Sequence, residues 1–236
     1  MIMPGFTPCF NCCHGPGCSG NGCASVRFLH GAVNQPAVNI TLGNRTVINN
    51  MRFGSFTPYY RDCGSQNTLV TVTNSQTGAI LFRRYLNFAS QTSYTVSIIN
   101  DGSGISLFTL TDSPCSYRNS GCVRVVNLSP NSGPVDVFLS GNGRIFQNVS
   151  QLDVTDYRAF GRGSYRASVS ESLPCPAGSS VIMGDTYVEC SNTRIAIMDS
   201  TALNIMVGGT YTLYIIGLAY QFPALQILTV ENDAAF

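Results

Sequence analysis

The sequence predicts an all-β chain carrying one domain twice, and three observations predict it. Short alternating apolar stretches recur at residues 26–29, 37–42, 69–73, 94–99 and 105–110. Turn-forming pairs separate them, including Gly43-Asn44, Asp101-Gly102 and Gly141-Asn142-Gly143. No segment carries the 3.6-residue periodicity of a helix of ten or more residues.

The elements then return in order. Val26-Arg27-Phe28-Leu29-His30 comes back as Val123-Arg124-Val125-Val126-Asn127. The strand from Pro36 to Leu42 comes back from Pro134 to Leu139, with one gap. Tyr59-Tyr60-Arg61 aligns with Asp156-Tyr157-Arg158, and Tyr94-Thr95-Val96 with Tyr211-Thr212-Leu213. The closing stretch ending at Asp112 matches the one ending at Asn232 more loosely. The expected organisation is an extended Cys-rich arm (1–23), a first domain (24–114), a linker (115–122) and a second domain (123–236). The second copy carries an inserted hairpin at 174–193 that the first lacks.

Composition narrows the function classes. Charged residues make up 11% of 236, the formal net charge is +1, and no basic cluster points to nucleic acid. All 13 cationic residues are arginine. A surface of Ser, Thr and Asn with little net charge favours association between copies. No apolar run reaches the length of a membrane span. Ten cysteines point to an oxidising final location. The first residues show neither a basic nor an apolar leader region, so the expected location is extracellular or spore-surface without a standard secretory signal.

The openings Val26-Arg27-Phe28-Leu29-His30 and Val123-Arg124-Val125-Val126-Asn127 carry a family resemblance. So do Pro36-Ala37-Val38-Asn39-Ile40 and Pro134-Val135-Asp136-Val137-Phe138, and the closing strands at Tyr94 and Tyr211. Together they resemble the bacterial extracellular β-domain family known as domain of unknown function 4397, across residues 24–236. The resemblance implies two tandem β-sandwich domains, immunoglobulin-like or transthyretin-like, and implies no activity. The arm segment Phe10-Asn11-Cys12-Cys13-His14-Gly15-Pro16-Gly17-Cys18 resembles the connectors of disulfide-linked endospore appendage subunits, in which the arm bonds to neighbouring subunits.

The cysteines divide accordingly. Cys9, Cys12, Cys13, Cys18 and Cys23 crowd an arm with no apolar periodicity, and the adjacent Cys12-Cys13 pair cannot close on itself without strain. These five, with Cys63 as acceptor in the body, are the expected intermolecular bonds. Pairing of arm thiols with one another or with Cys63 of the same chain remains open. Zinc on Cys9, Cys12, His14, Cys18 and Cys23 is the weaker alternative, because the spacings are irregular and a second ligand pair is missing. Cys175 with Cys190 brackets the insertion, and Cys115 with Cys122 flanks the linker; both are expected local bridges.

No cofactor, metal or catalytic group is expected. His30 ends a strand and is Asn127 in the other copy, so a Ser-His-Asp centre built on it is disfavoured. Asp153 and Asp156 sit in a turn without acidic company, which disfavours glycoside hydrolysis or calcium. Tyr59, Tyr60, Tyr214 and Tyr220 suggest a sugar-stacking platform, against which ordinary sheet or interface roles weigh more. The absence of Lys excludes isopeptide cross-links through a lysine amine. The leading expectation is therefore a non-enzymatic subunit that assembles head-to-tail with copies of itself into a disulfide-linked filament, a spore appendage, with spore coat or surface proteins as further partners. The alternative is a monomeric adhesion module recognising glycan or protein.

Overall fold

The computed structural model describes residues 22–63, 67–102, 104–172, 180–183, 186–189 and 197–232. Cys9, Cys12, Cys13, Cys18, Cys175 and Cys190 lie outside these residues. Every helical or extended element among the described residues is a strand.

The first half contains β1 (Ala24–His30), β2 (Val38–Leu42), β3 (Arg45–Met51), β4 (Tyr60–Asp62), β5 (Thr68–Asn74), β6 (Ile80–Leu86), β7 (Ser93–Asp101) and β8 (Gly104–Asp112). They form two four-stranded sheets, β4-β1-β7-β8 and β3-β2-β5-β6. The second half repeats this with β9 (Gly121–Asn127), β10 (Val135–Leu139), β11 (Gly143–Val149), β12 (Arg158–Phe160), β13 (Gly163–Glu171), β16 (Ile197–Ile205), β17 (Thr210–Ile216) and β18 (Gln226–Glu231). Its sheets are β12-β9-β17-β18 and β11-β10-β13-β16. Between β13 and β16, β14 (Ser180–Met183) and β15 (Thr186–Glu189) pair as an antiparallel hairpin. In each half the opening strand runs parallel to the penultimate one, β1 beside β7 and β9 beside β17. The chain thus folds as two tandem β-sandwiches.

Side-chain alternation explains why each sandwich closes. Val38 and Ile40 of β2 and Val70 and Val72 of β5 point inward against Val26, Phe28, Val96 and Ile98 of the facing sheet. Val135, Val137, Ala167 and Val169 do the same against Val123, Val125, Leu213 and Ile215 in the second half. A third core lies between the halves. Leu29, Ile99 and Leu110 of the β4-β1-β7-β8 sheet pack with Val126, Leu128, Tyr214, Ile216 and Val230, which lie on or beside the β12-β9-β17-β18 sheet. Four sheets therefore stack face to face around three cores. The inner strands β9 and β17 are buried along their whole length, because both of their faces are covered.

Register fixes which side chains correspond. Tyr60 stands opposite Val26, and Arg158 stands opposite Val123. Tyr59, not Tyr60, is therefore the equivalent of Tyr157. The sequence alignment of these short strands is off by one residue, and a one-residue slip exchanges the two faces of a strand.

Two disulfides tie the described residues. Cys23 bonds Cys63, forty residues on, clipping the entry to β1 against the end of β4. This corrects the expectation that Cys23 and Cys63 serve as links between chains: antiparallel pairing of Ala24 with Asp62 sets the two residues side by side. Cys115 bonds Cys122, closing the segment that leads into β9.

Candidate functional site

Two places on this scaffold hold polar or aromatic groups in arrangements that ordinary packing does not require. The first is a buried polar lock between the halves. Arg27, on β1, donates from Nε to Thr95 Oγ1 at 2.7 Å. It then crosses to the end of β18, donating to the Glu231 carbonyl at 2.9 Å and to Asn232 Oδ1. Arg124, on β9, repeats the pattern in reverse. Its Nε donates to Thr212 Oγ1 at 3.0 Å, and it crosses to the end of β8, to the Thr111 carbonyl at 3.0 Å and Asp112 Oδ1 at 2.7 Å. Each guanidinium lies 4.6 Å from the centre of a tyrosine ring, Tyr59 for Arg27 and Tyr157 for Arg124.

The lock is satisfied almost atom for atom. Asp112 Oδ2 accepts from Tyr59 at 2.8 Å and from Thr95 at 2.5 Å, and lies 3.5 Å from Arg27 Nη2. Asn232 Nδ2 donates to Tyr157 at 2.9 Å and to Thr212 at 3.0 Å. Burial raises the Tyr59 phenol above its ordinary range, and the Asp112 charge raises it further. Tyr157 is raised by burial against the opposing pull of Arg124. With every donor and acceptor turned inward, this cluster offers nothing to a solvent-borne ligand. It ties the two halves together with hydrogen bonds in both directions.

The second place is the connection from β17 to β18. The equivalent link between β7 and β8 takes only residues 102 and 103, whereas here residues 217–225 intervene. The added chain is held by its own hydrogen bonds. Leu218 N donates to Pro223 O and Leu225 N to Leu218 O, each at 2.9 Å. Ser129 Oγ donates to Gly217 O at 2.8 Å, and Ala219 N donates to Asn131 Oδ1 at 2.9 Å. Gly217 has φ +88°, and a Cβ there would sit 2.2 Å from Ala224 O, so only glycine fits. On this braced loop Tyr220 is 75% exposed and Phe222 is 90% exposed.

Comparison with known proteins agrees with the repeat. A family model described as Domain of unknown function (DUF4397) matches residues 24–138 and again residues 121–235. The chain belongs to this family. No curated protein matches it. Among solved structures, a carbohydrate-binding module of family 26 from Eubacterium rectale, in complex with maltoheptaose, aligns over 91% of this chain and 98% of that one. Identity is 10% and the TM-score 0.24, too low for that likeness to carry an argument.

Within the two DUF4397 copies, the residues singled out in the sequence take structural roles. His30 is fully buried, with Nε2 3.2 Å from Pro36 O, and burial holds its pKa below the usual value. Its equivalent Asn127 bonds Ser132 Oγ and the Val149 carbonyl, both at 3.0 Å. Both side chains brace the loop that follows the opening strand. Asp153 Oδ2 accepts from Ser150 N at 2.8 Å and so closes a turn. Of the tyrosine platform, Tyr59 and Tyr214 are interface groups, Tyr60 is half-buried, and Tyr220 alone stands open to solvent. Phe222 escaped the sequence reading. Its signal was available in the repeat: a two-residue turn in one copy against a nine-residue connection in the other.

Proposed function

We propose that this DUF4397 chain is a non-catalytic extracellular binding module whose rigid double sandwich presents the Tyr220–Phe222 loop to carbohydrate. The observation that carries the reading is a pair of aromatic side chains held open by a hydrogen-bonded backbone. Exposed rings on a backbone already held in place gain affinity because the loop itself needs no further ordering on binding. A carbohydrate fits better than a protein partner on grounds of size. Two exposed rings on one short loop match one or two sugar rings, whereas a stable protein interface buries about 800 Å² per partner. The two disulfides support an oxidising location. Among the described residues no helix is long and apolar enough to cross a membrane.

Glycan-array binding by the full chain, compared with Tyr220→Ala and Phe222→Ala, tests this. Binding that falls at least tenfold in both variants is the expected result. Unchanged glycan binding removes the loop from the site, and binding only to proteins replaces the ligand class.

A second reading, a subunit of a disulfide-linked filament, has its own support. All four cysteines among the described residues are paired with one another, so Cys9, Cys12, Cys13 and Cys18 have no partner among those residues. Non-reducing electrophoresis of boiled protein tests it. A ladder that collapses with reductant favours the filament, and monomer alone rejects it.

A further inference from the structure

The faces that join the two halves are related position by position, and the positions where they differ decide what each face can pair with. Leu29 corresponds to Val126, Ile99 to Ile216, Leu110 to Val230 and Phe108 to Leu228, all in the shared core. Such near-equivalence is the geometry of a two-fold dimer, in which a face meets a copy of itself. Three of the positions that break it bear directly on self-pairing. Tyr214 stands where the first face has Ser97, Leu128 where it has Gly31, and Asn232 where it has Asp112.

Each break opposes self-pairing. A Cβ on Gly31 would already lie 3.3 Å from Ile216 Cγ2. A second-domain face meeting its own copy would put Leu128 there, and would have to bury a second Tyr214 ring in place of Ser97. It would also bury two Arg124 guanidinium groups with no carboxylate between them, because Asp112 belongs to the other face. A first-domain face meeting its own copy would balance its charges but leave voids where Tyr214 and Leu128 now stand. Only the unlike pair fills the space and supplies the carboxylate.

We infer that the two faces are heterospecific, and that their partner in trans is the complementary face of a second copy of this chain. When the contact within one chain opens, domain 1 of one copy takes domain 2 of another through the same Arg27, Arg124, Asp112 and Asn232 lock. Copies then join head-to-tail, never like-with-like. Eight residues, 113–120, separate β8 from β9, and the Cys115–Cys122 bond keeps that connection short, which favours pairing within the chain. The inference stands apart from the aromatic loop and does not need it.

A charge exchange in full-length chains tests it. Asp112→Arg in one preparation and Arg124→Asp in another each set like charges against one another within the chain. Combined, they restore one native lock and one reversed Arg–Asp pair, but only between copies. Co-refolding the two is expected to give a 1:1 complex of twice the 25.3 kDa chain mass, while each alone stays monomeric. A mixture that remains monomeric, or either variant pairing with itself, overturns the inference. Should the variants not fold, wild-type chain refolded at high concentration with reductant is read by light scattering. An exchanged dimer upholds the inference, and monomer throughout overturns it.

Discussion

Asp112 and Asn232 occupy the same position on equivalent strands, yet one carries a charge and the other does not. Each receives an arginine from the opposite half of the molecule. Two buried guanidinium groups therefore share one carboxylate. Removing it by Asp112→Ala strands both, and is expected to lower stability by about 3–5 kcal/mol. Asn232→Asp works in the other direction. The hydroxyls of Thr212 and Tyr157 can turn to donate to the new carboxylate, as Thr95 and Tyr59 already donate to Asp112. That variant is expected to gain about 1 kcal/mol from the charge-assisted bonds. Urea unfolding at pH 7 measures both, and a loss of stability in Asn232→Asp would show that burying the second carboxylate outweighs its pairing.

His30 sets a pH limit on the first domain. Burial lowers its pKa below the ordinary value of 6.5, so the folded chain binds the imidazole proton less readily than the unfolded chain does. The contribution is complete above pH 6.5 and is lost as pH falls toward and through the lowered folded value. Melting temperature is expected to fall between pH 7 and pH 5 in the wild type. His30→Asn copies the residue used at the equivalent position, and its melting temperature should change less over that interval. Parallel pH profiles would assign the acid sensitivity elsewhere.

Tyr59 and Tyr214 impose the opposite limit at high pH. Both phenols are raised above the ordinary value of 10.0, chiefly by burial and then by the Asp112 charge. Their neutral forms are favoured in the fold, so stability is intact below about pH 10 and declines above it. Guanidinium midpoints measured from pH 9 to pH 11 should fall more steeply for the wild type than for Tyr214→Phe. Absorbance near the tyrosinate band should show these two groups ionising only with unfolding.

The disulfides differ in what they constrain. Cys23 and Cys63 close a loop of 40 residues, while Cys115 and Cys122 close one of 7. Loop entropy assigns about 4 kcal/mol to the first and about 2 kcal/mol to the second. Cys23→Ser/Cys63→Ser is expected to lower the unfolding midpoint by roughly twice as much as Cys115→Ser/Cys122→Ser. Equal losses would show that native-state contacts, rather than chain entropy, set the effect.

The fold was legible because alternation, turn residues and the repeat all pointed one way. Val123 to Asn127 even declares its double burial: apart from Arg124 it has no polar residue before Asn127, and Arg124 is the lock. The lock itself was not legible, although both arginines were in the repeated motif. Arg27 reaches Asn232, 205 residues on, and Arg124 reaches back 12 residues to Asp112, and only the face-to-face stacking of two sheets brings each pair together. The one-residue slip at Tyr59 has a related cause. A strand as short as β4 carries too little alternation to fix its own register, and pairing with β1 fixes it instead. Which arm cysteine Cys63 takes was not legible for the same reason, since Cys23, its neighbour across β1 and β4, is forty residues away in sequence.

Gly217 offers the sharpest separation of the aromatic loop from the rest of the fold. Its φ of +88° and the 2.2 Å approach to Ala224 O exclude any Cβ, so Gly217→Ala must displace residues 218–224. β17 and β18 remain paired from Tyr211 with Glu231 to Ile216 with Gln226, and the loss of stability is expected to stay near 2 kcal/mol. Gly43→Ala is the control. Gly43 also has positive φ, +58°, but nothing lies within 4 Å of its added Cβ, so strain of about 1 kcal/mol is the whole effect. If Tyr220 and Phe222 make the contact, Gly217→Ala loses glycan binding as fully as Tyr220→Ala does, while Gly43→Ala keeps it. Both rings remain present in Gly217→Ala, and only the backbone that aims them has changed. Wild-type affinity in Gly217→Ala would therefore place the binding surface elsewhere on the double sandwich.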